Sequence, residues 1–175
     1  IGRAYRGAFN DTQAQTLAGH AIAEAVKRAK VDPGEIDDVI IGAALQQGSQ
    51  GSNVARQAAL RAGLPAKLTG MTLDRQCSSG LQTIAIAAKT IIVGEQDIVV
   101  AGGLESISLV QNKHKNGYRF VSQAVLAAQP TAYVPMIETA EIVAERYGIS
   151  RAQQDEYSLQ SQQRTAAAQD AGRFD

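Results

Sequence analysis

Residues 71–81, MTLDRQCSSGL, join a short apolar strand pattern to a long apolar helix pattern, and the single cysteine of the chain, Cys77, lies at that junction. Strands that lead directly into helices are typical of α/β proteins. The unpaired N–H groups and positive dipole end of a helix start favour a thiolate, the nucleophilic form of cysteine, and Arg75 favours it further. We therefore predict an α/β domain in which Cys77 occupies the first turn of a helix as a nucleophile.

The residues after Cys77 favour this chemistry over structural burial, which is the commonest fate of a lone cysteine. Ser78, Ser79 and Gly80 are small, so an acyl group could approach the sulfur closely. The strand-to-helix turn would also offer backbone N–H groups to an oxyanion.

The composition excludes several classes of protein. Seventeen basic and seventeen acidic residues cancel, which argues against a nucleic-acid groove or a membrane surface as the partner. One cysteine allows no intrachain disulfide, and with two separated histidines it gives no metal-ligand spacing. No apolar stretch approaches the ~20 residues of a membrane-spanning helix. We expect a small-molecule or protein partner, no metal, and a reducing, cytoplasmic location.

Helix and strand patterns alternate along the first hundred residues. A capping box of Thr12 and Gln15 precedes one apolar stripe, which predicts a surface helix. Asn53 is placed to cap a second helix. Short β-branched runs at 38–42 and 98–103 predict buried strands of a parallel sheet.

The helix pattern that follows Cys77 is apolar on most of its surface between residues 81 and 92. Such a helix is predicted to be buried and covered on several sides. Its burial would hold the nucleophile rigidly at the floor of a cleft.

Periodicity is lost over residues 106–135. A locally basic stretch within them is interpreted as a solvated connection rather than a phosphate site: Lys113, His114, Lys115 and Arg119. Helical patterns return at 138–147 and again after Ser150, which forms a capping box with Gln153.

Two motifs in this order resemble those of one family. Residues 74–82, DRQCSSGLQ, resemble the nucleophile motif of the thiolases, and residues 101–108, AGGLESIS, resemble their glycine-rich strand end. The segments 51–59, 135–141 and 150–175 are also similar to thiolase segments. The resemblance therefore covers essentially the whole chain.

The resemblance implies a fold. Thiolases join two similar α/β halves face to face, with paired helices between the sheets and a loop domain inserted in the first half. This chain resembles the N-terminal half, with a mixed sheet, a buried nucleophile helix and part of the loop domain. Residues 1–105 would form the core half without its first strand, which would precede Ile1, and residues 106–175 the start of the loop domain and the following helices. The C-terminal half would be absent.

The resemblance also implies an activity. Thiolases transfer an acyl group from acyl-CoA or 3-ketoacyl-CoA to the nucleophilic cysteine, here Cys77, and then to CoA or acetyl-CoA. Met136 would border the acyl pocket, although a methionine there could simply fill the core. Coenzyme A would be a substrate, with no permanently bound cofactor. Ile137 replaces a common glycine, which favours a 3-ketoacyl-CoA thiolase of fatty acid metabolism that accepts chains longer than C4.

Assembly is a further implication of the resemblance. Thiolases pair through the strand before the nucleophile, here 67–74, so a homodimer or homotetramer is expected.

The departures from the family concern the general base. The Gly-His-Pro histidine, the Cys-Gly-Gly cysteine and the Asn-Glu-Ala motif do not occur in these residues. His20 and His114 fall in a surface-helix pattern and a loop, where solvated roles are expected. These 175 residues alone are therefore predicted to be inactive. Glu105 and Arg56 are interpreted as ion-pair or hydrogen-bond scaffolding.

Two alternatives stay open at this point. A ketoacyl-carrier-protein synthase would also place a cysteine at the start of a buried helix, although the two quoted motifs favour a thiolase. The chain could instead be a noncatalytic binding or assembly module that retains thiolase surfaces without turnover.

Overall fold

A computed structural model describes residues 2 and 6–174 of the chain. The chain divides into two compact units, Ile1–Gly117 and Tyr118–Asp175. The first unit extends beyond residue 105 because Val110 is buried within it and Asn116 donates its N–H to Gln47 at 2.8 Å. The division at residue 105 and the loop-domain assignment stay predictions. Ile1 and Arg3, beside the expected missing strand, lie outside the described residues.

The first unit alternates helices and strands as predicted. Its elements are α1 (Ala14–Ala29), β1 (Asp38–Gly42), α2 (Val54–Arg61), β2 (Thr69–Leu73), α3 (Ser79–Ile92), β3 (Val99–Gly103) and α4 (Ile107–Val110), with 3-10 turns at Pro33–Glu35 and Gly48–Gln50. The predicted strand at 38–42 is confirmed, and the one at 98–103 begins a residue later than expected.

The three strands form one parallel sheet in the order β2-β1-β3. A mixed sheet was expected, but no antiparallel strand occurs among the described residues, since helices connect β1 to β2 and β2 to β3. These two crossovers run in opposite directions along the sheet. Because such crossovers are right-handed, α2 and α3 lie on opposite faces.

The central strand β1 separates two packing surfaces. Val39 and Ile41 join a buried cluster with side chains of α1 and α2, including Ile22 and Ala58. Since side chains alternate along a strand, Gly42 faces the opposite side, where the backbone of α3 approaches it closely.

Two side-chain caps were predicted on this unit, and one of them is present. The Thr12–Gln15 capping box is wrong, because the side chain of Gln15 instead donates to Gln57 of α2 at 2.8 Å, and α1 begins without a side-chain cap. Asn53 is confirmed as the cap of α2, since its side chain accepts the N–H of Arg56 at 3.3 Å. The capping box does not form because Gln15 bonds to another helix, and a contact between helices cannot be predicted from the spacing of residues within one segment.

Among the described residues α3 is covered on one face only, so its burial on several sides stays a prediction. Its buried residues, Ser79, Thr83 and Ala87, lie on the face toward the sheet, whereas Leu81 and Ile92 are 71% and 81% exposed. A single sheet can cover only one face of a helix, so the remaining apolar face is open.

The second unit contains helices α5 (Gln123–Ala128), α6 (Met136–Tyr147) and α7 (Arg151–Asp170). The capping box of Ser150 and Gln153 at the start of α7 is confirmed. The short α5 was missed because it falls in the segment without periodicity. Within residues 2 and 6–174, every helix is too short or too polar to cross a membrane.

Asp37 ties the start of β3 to the start of β1 and should make stability depend on pH. Its carboxylate accepts the N–H groups of Ile98 and Asp97 at 3.0 and 2.7 Å, and these bonds lower the pKa of that carboxyl. The stabilisation is therefore present above the unfolded-state pKa of ~3.9 and is lost as pH falls through it toward the lower folded-state pKa. Asp37→Asn should lower the Tm at neutral pH and differ little from wild type in acid.

Thermal unfolding of the full-length protein, followed by circular dichroism at several pH values, checks this expectation. Asp11→Asn, which removes the same charge from an exposed position, is the matched control. An Asp37→Asn deficit that stays constant from neutral pH to about pH 3 would contradict the assigned role.

Candidate active site

Cys77 lies in the connection between β2 and α3, and its side chain is exposed. The first helical residue is Ser79 and the N-cap is Ser78. The expectation that Cys77 occupies the first turn is therefore wrong: Cys77 lies two residues before the first helical residue. The connection from residue 74 to residue 79 is called the nucleophile turn below.

Hydrogen bonds of the two serines fix the nucleophile turn. The hydroxyl of Ser79 accepts the N–H of Arg75 at 2.8 Å and donates to the carbonyl of Gln76 at 2.6 Å. The hydroxyl of Ser78 donates to the carbonyl of Arg75 at 2.8 Å. Gln76 adopts a left-handed conformation, with φ of 49°. The thiol is thus carried on a turn with little freedom to move.

Arg75 is held along α3. Its guanidinium donates to the side chain of Gln82 at 3.1 Å. The positive charge of Arg75 therefore lies at the start of α3, two residues before Cys77 in sequence. Its influence on the thiol remains a prediction.

The backbone N–H groups at the start of α3 are only partly paired. Those of Ser78 and Ser79 donate within the nucleophile turn, and no side chain caps α3. Cys77 takes part in an isolated backbone bridge with Arg75, whereas the N–H groups of Gly80 and Leu81, the second and third helical residues, have no backbone acceptor among the described residues. Such groups at a helix start favour negative charge, and their role in binding an oxyanion stays a prediction.

Glycines bring the start of α3 into backbone contact with two strand ends. A Cβ atom built on Gly42 of β1 would lie 2.3 Å from the carbonyl carbon of Ser79. One built on Gly80 would lie 3.3 Å from the Cα of Gly103 in β3. The buried hydroxyl of Thr83 also donates to the carbonyl of Gly102 at 2.8 Å. The position of the nucleophile is therefore set by main-chain packing.

A cleft of about 510 Å³ opens beside the nucleophile turn, at the carboxyl ends of β1 and β3. Cys77 lines it together with Ala44 and Leu45, which follow β1, and Leu104 and Glu105, which follow β3. Ligands of open α/β sheets bind outside the carboxyl ends of the strands. The arrangement thus combines a thiol, free N–H groups and an apolar wall.

Glu105 and Arg56 form hydrogen-bond scaffolding, as predicted. The Oε2 atom of Glu105 accepts the N–H of Ala44 at 2.9 Å, and its Oε1 accepts from the side chain of Gln50. Arg56 donates to the carbonyl of Ala66 at 2.6 Å. Gln50 was not predicted to be part of this scaffolding, because a glutamine in a polar loop carries no pattern that distinguishes it from its exposed neighbours.

The other residues singled out from sequence lie elsewhere. Met136 begins α6 in the second unit and is 76% exposed, next to the 79% exposed Ile137. His20 is exposed on α1, where it lines a separate groove of about 700 Å³. His114 is exposed in a loop. Among the described residues, no histidine lines the cleft of Cys77.

Comparison with known proteins gives consistent matches over the whole chain. The family model for the thiolase N-terminal domain matches residues 1–175. A probable acetyl-CoA acyltransferase of Staphylococcus aureus (strain COL) is 39% identical over 98% of this chain and 46% of its own length. The 3-oxoadipyl-CoA/3-oxo-5,6-dehydrosuberyl-CoA thiolase of Escherichia coli (strain K12) is 43% identical with the same coverage.

A solved structure agrees with these sequence matches. The crystal structure of the acetyl-CoA acetyltransferase of Bacillus anthracis has a TM-score of 0.77 and 40% identity, covering 97% of this chain and 45% of that chain. The chain therefore belongs to the thiolase family and carries the sequence of its N-terminal domain. It spans about half the length of the curated relatives it matches.

The contact at Gly42 should be intolerant of any side chain. Gly42→Ala would place a methyl group against the backbone of Ser79, which must then shift together with the nucleophile turn. Overpacking of this kind costs about 1–3 kcal/mol. Urea unfolding of the full-length protein should therefore show a lower free energy of unfolding for Gly42→Ala. The rate at which iodoacetamide alkylates Cys77 should also change.

Gly117→Ala is the matched control, because nothing lies within 4 Å of a Cβ atom at that position. Its unfolding free energy should change by less than about 0.5 kcal/mol. Equal stability of the two variants would show that the start of α3 can move away from β1 at no cost.

Proposed function

We propose that the full-length protein is an acyl-CoA C-acyltransferase of the thiolase type. The thiolate of Cys77 attacks the keto carbon of a 3-ketoacyl-CoA, the bond between C2 and C3 breaks, and acetyl-CoA leaves as an enolate that takes up a proton. The thiol of CoA then attacks the acyl-cysteine thioester, which releases acyl-CoA and regenerates Cys77. The observation that carries this proposal is the exposed thiol on a rigid turn at the mouth of a cleft.

The residues around the thiol suit a developing negative charge. The N–H groups of Gly80 and Leu81, which have no backbone acceptor among the described residues, lie at a helix start, where donors for an oxyanion lower the barrier of acyl transfer. Gly80 and Gly103 contribute main-chain atoms to the wall of the cleft. Leu45 and Leu104 give the wall an apolar part that suits an acyl chain.

Proton transfer needs groups beyond these residues. Apart from Cys77, Glu105 is the one ionisable residue among the described lining of the cleft, and both its carboxylate oxygens already accept hydrogen bonds. General acid–base catalysis contributes about 10²- to 10⁴-fold. We infer that the 175 residues alone do not turn over and that the rest of the protein supplies the base.

The open surfaces of the first unit suit the assembly that the family resemblance implies. The exposed apolar face of α3, which includes Leu81 and Ile92, would be covered by the second half of the protein. Among the described strands, β2 is an edge strand, with the other side of its backbone unpaired. We propose pairing of two copies through this edge, at residues 67–74.

Cys77→Ala and Cys77→Ser test the proposed nucleophile. Each should lower acyl transfer by several orders of magnitude, because the side chain supplies the covalent step. Each should change the unfolding free energy by less than about 1 kcal/mol, because the side chain is small and exposed. The measurements are thiolysis of 3-ketoacyl-CoA and mass spectrometry of the acylated peptide in the full-length protein.

Ser158→Ala, a change at an exposed position of α7, is the control for these variants. A wild-type protein that binds CoA esters but neither cleaves them nor becomes acylated would support the alternative of a noncatalytic binding module. Acylation of a residue other than Cys77 would remove the proposed nucleophile.

We also propose that the preferred substrates are 3-ketoacyl-CoA esters longer than C4. The support is Ile137, which replaces a glycine common in acetoacetyl-CoA enzymes next to Met136. Each methylene buried in an apolar pocket contributes up to ~0.8 kcal/mol. The kcat/KM of the full-length protein should therefore rise from C4 to C8 substrates.

A panel of substrates of increasing chain length checks this preference, with Ile137→Gly as the informative variant. Its kcat/KM should shift toward the C4 substrate. Cleavage of acetoacetyl-CoA with rejection of longer chains by the wild type would instead support an acetyltransferase.

A further inference from the structure

Gln50 is a fully buried polar side chain whose role the reaction above does not use. It is 0% exposed. Its Nε2 atom donates to the carbonyl of Leu45 at 3.0 Å and to the carboxylate of Glu105, and its Oε1 accepts the N–H of Ser106. All three bonds reach segments outside the 3-10 turn that carries Gln50. A buried amide with both ends paired is a specific connector, since any loss of a partner leaves a desolvated polar group.

Glu105 extends this connection to the other side of the cleft. It follows β3, and its second oxygen accepts the N–H of Ala44, which follows β1, at 2.9 Å. The chain of contacts from Ser106 through Gln50 and Glu105 to Ala44 therefore joins the two loops at the carboxyl ends of β1 and β3. These loops contribute Ala44, Leu45, Leu104 and Glu105 to the cleft, which Gln50 itself does not line.

We propose that Gln50 is a positioning residue for the Cys77 cleft: by holding Glu105, it fixes the spacing between the loop after β1 and the loop after β3. The apolar wall at Leu45 and Leu104 then keeps a constant place relative to the thiol. This inference rests on the proposed acyl transfer. A misplacement of about 1 Å, caused by a residue away from the chemistry, can cost about 10²-fold in rate.

The contacts of Gln50 indicate that it positions the two loops rather than stabilising the whole first unit. The three hydrogen bonds of Gln50 go to Leu45, Glu105 and Ser106, which lie in the loops after β1 and β3. The nucleophile turn and α3 are held by Ser79, Thr83 and the glycine contacts. A change at Gln50 is therefore expected to move the two loops without moving the thiol.

The test exchanges the two partners. Gln50→Glu places a second carboxylate against Glu105 and removes the donor, whereas the double variant Gln50→Glu, Glu105→Gln restores one donor and one acceptor between the positions. In the full-length protein, Gln50→Glu should lower kcat/KM for 3-ketoacyl-CoA about 10- to 100-fold. The kcat/KM is calculated per reactive Cys77 thiol, which is counted by alkylation with iodoacetamide. The double variant should recover at least about half of that loss on a logarithmic scale. Gln46→Leu, at an exposed position of the same loop, should stay within about 2-fold.

Hydrogen exchange gives a readout that does not depend on the reaction. Amides of segments 43–46 and 104–107 should exchange faster in Gln50→Glu and return toward wild type in the double variant, while those of α3 stay unchanged. Unchanged exchange in both segments, unchanged activity per titratable thiol, or equal loss of protection throughout the first unit would overturn the proposal. A wild-type protein without acyl transfer would refute the proposed function, and the exchange data would still decide whether Gln50 holds the loops.

Discussion

The main-chain contact between the start of α3 and the ends of β1 and β3 is the constraint on which this site depends. Gly42 lets the backbones approach more closely than any side chain would allow, and the contact between Gly80 and Gly103 is tighter than an ordinary side-chain contact. The helix start is therefore fixed against the sheet, and the nucleophile turn, tied internally by two serines, is fixed with it. Cys77 can then be exposed without being mobile, which suits a group that must attack at a defined place.

Sequence patterns predicted those parts of the fold that local residues determine. The strand at 38–42 followed from a β-branched run, and the caps by Asn53 and Ser150 followed from side chains that reach their own helix. The strand-to-helix junction at Cys77 was also visible, because two periodicities meet there. The family followed from quoted motifs rather than from periodicity, and comparison with known proteins confirmed it.

Features that depend on contacts distant in sequence could not be predicted. Gln15 bonds to Gln57 across two helices, so the expected capping box did not form. Gln50 meets Glu105, a partner 55 positions away, and nothing in its own loop marks it. The exact start of α3 depends on the serine bonds of the nucleophile turn, and local spacing therefore placed Cys77 two residues too far into the helix.

The first unit leaves two needs unmet near α3. Among the described residues, the thiol that precedes the helix lacks a free acid–base group, and the outer face of the helix lacks an apolar contact. The nucleophile turn, which leads into α3, carries the thiol beside a cleft whose only other described ionisable residue, Glu105, already accepts hydrogen bonds with both carboxylate oxygens. The outer face of α3 exposes Leu81 and Ile92, which an aqueous surface does not favour. An element that packed on this face would also stand beside the nucleophile turn. In the function proposed above, the part of the protein that covers α3 would therefore lie where the acid–base group is needed.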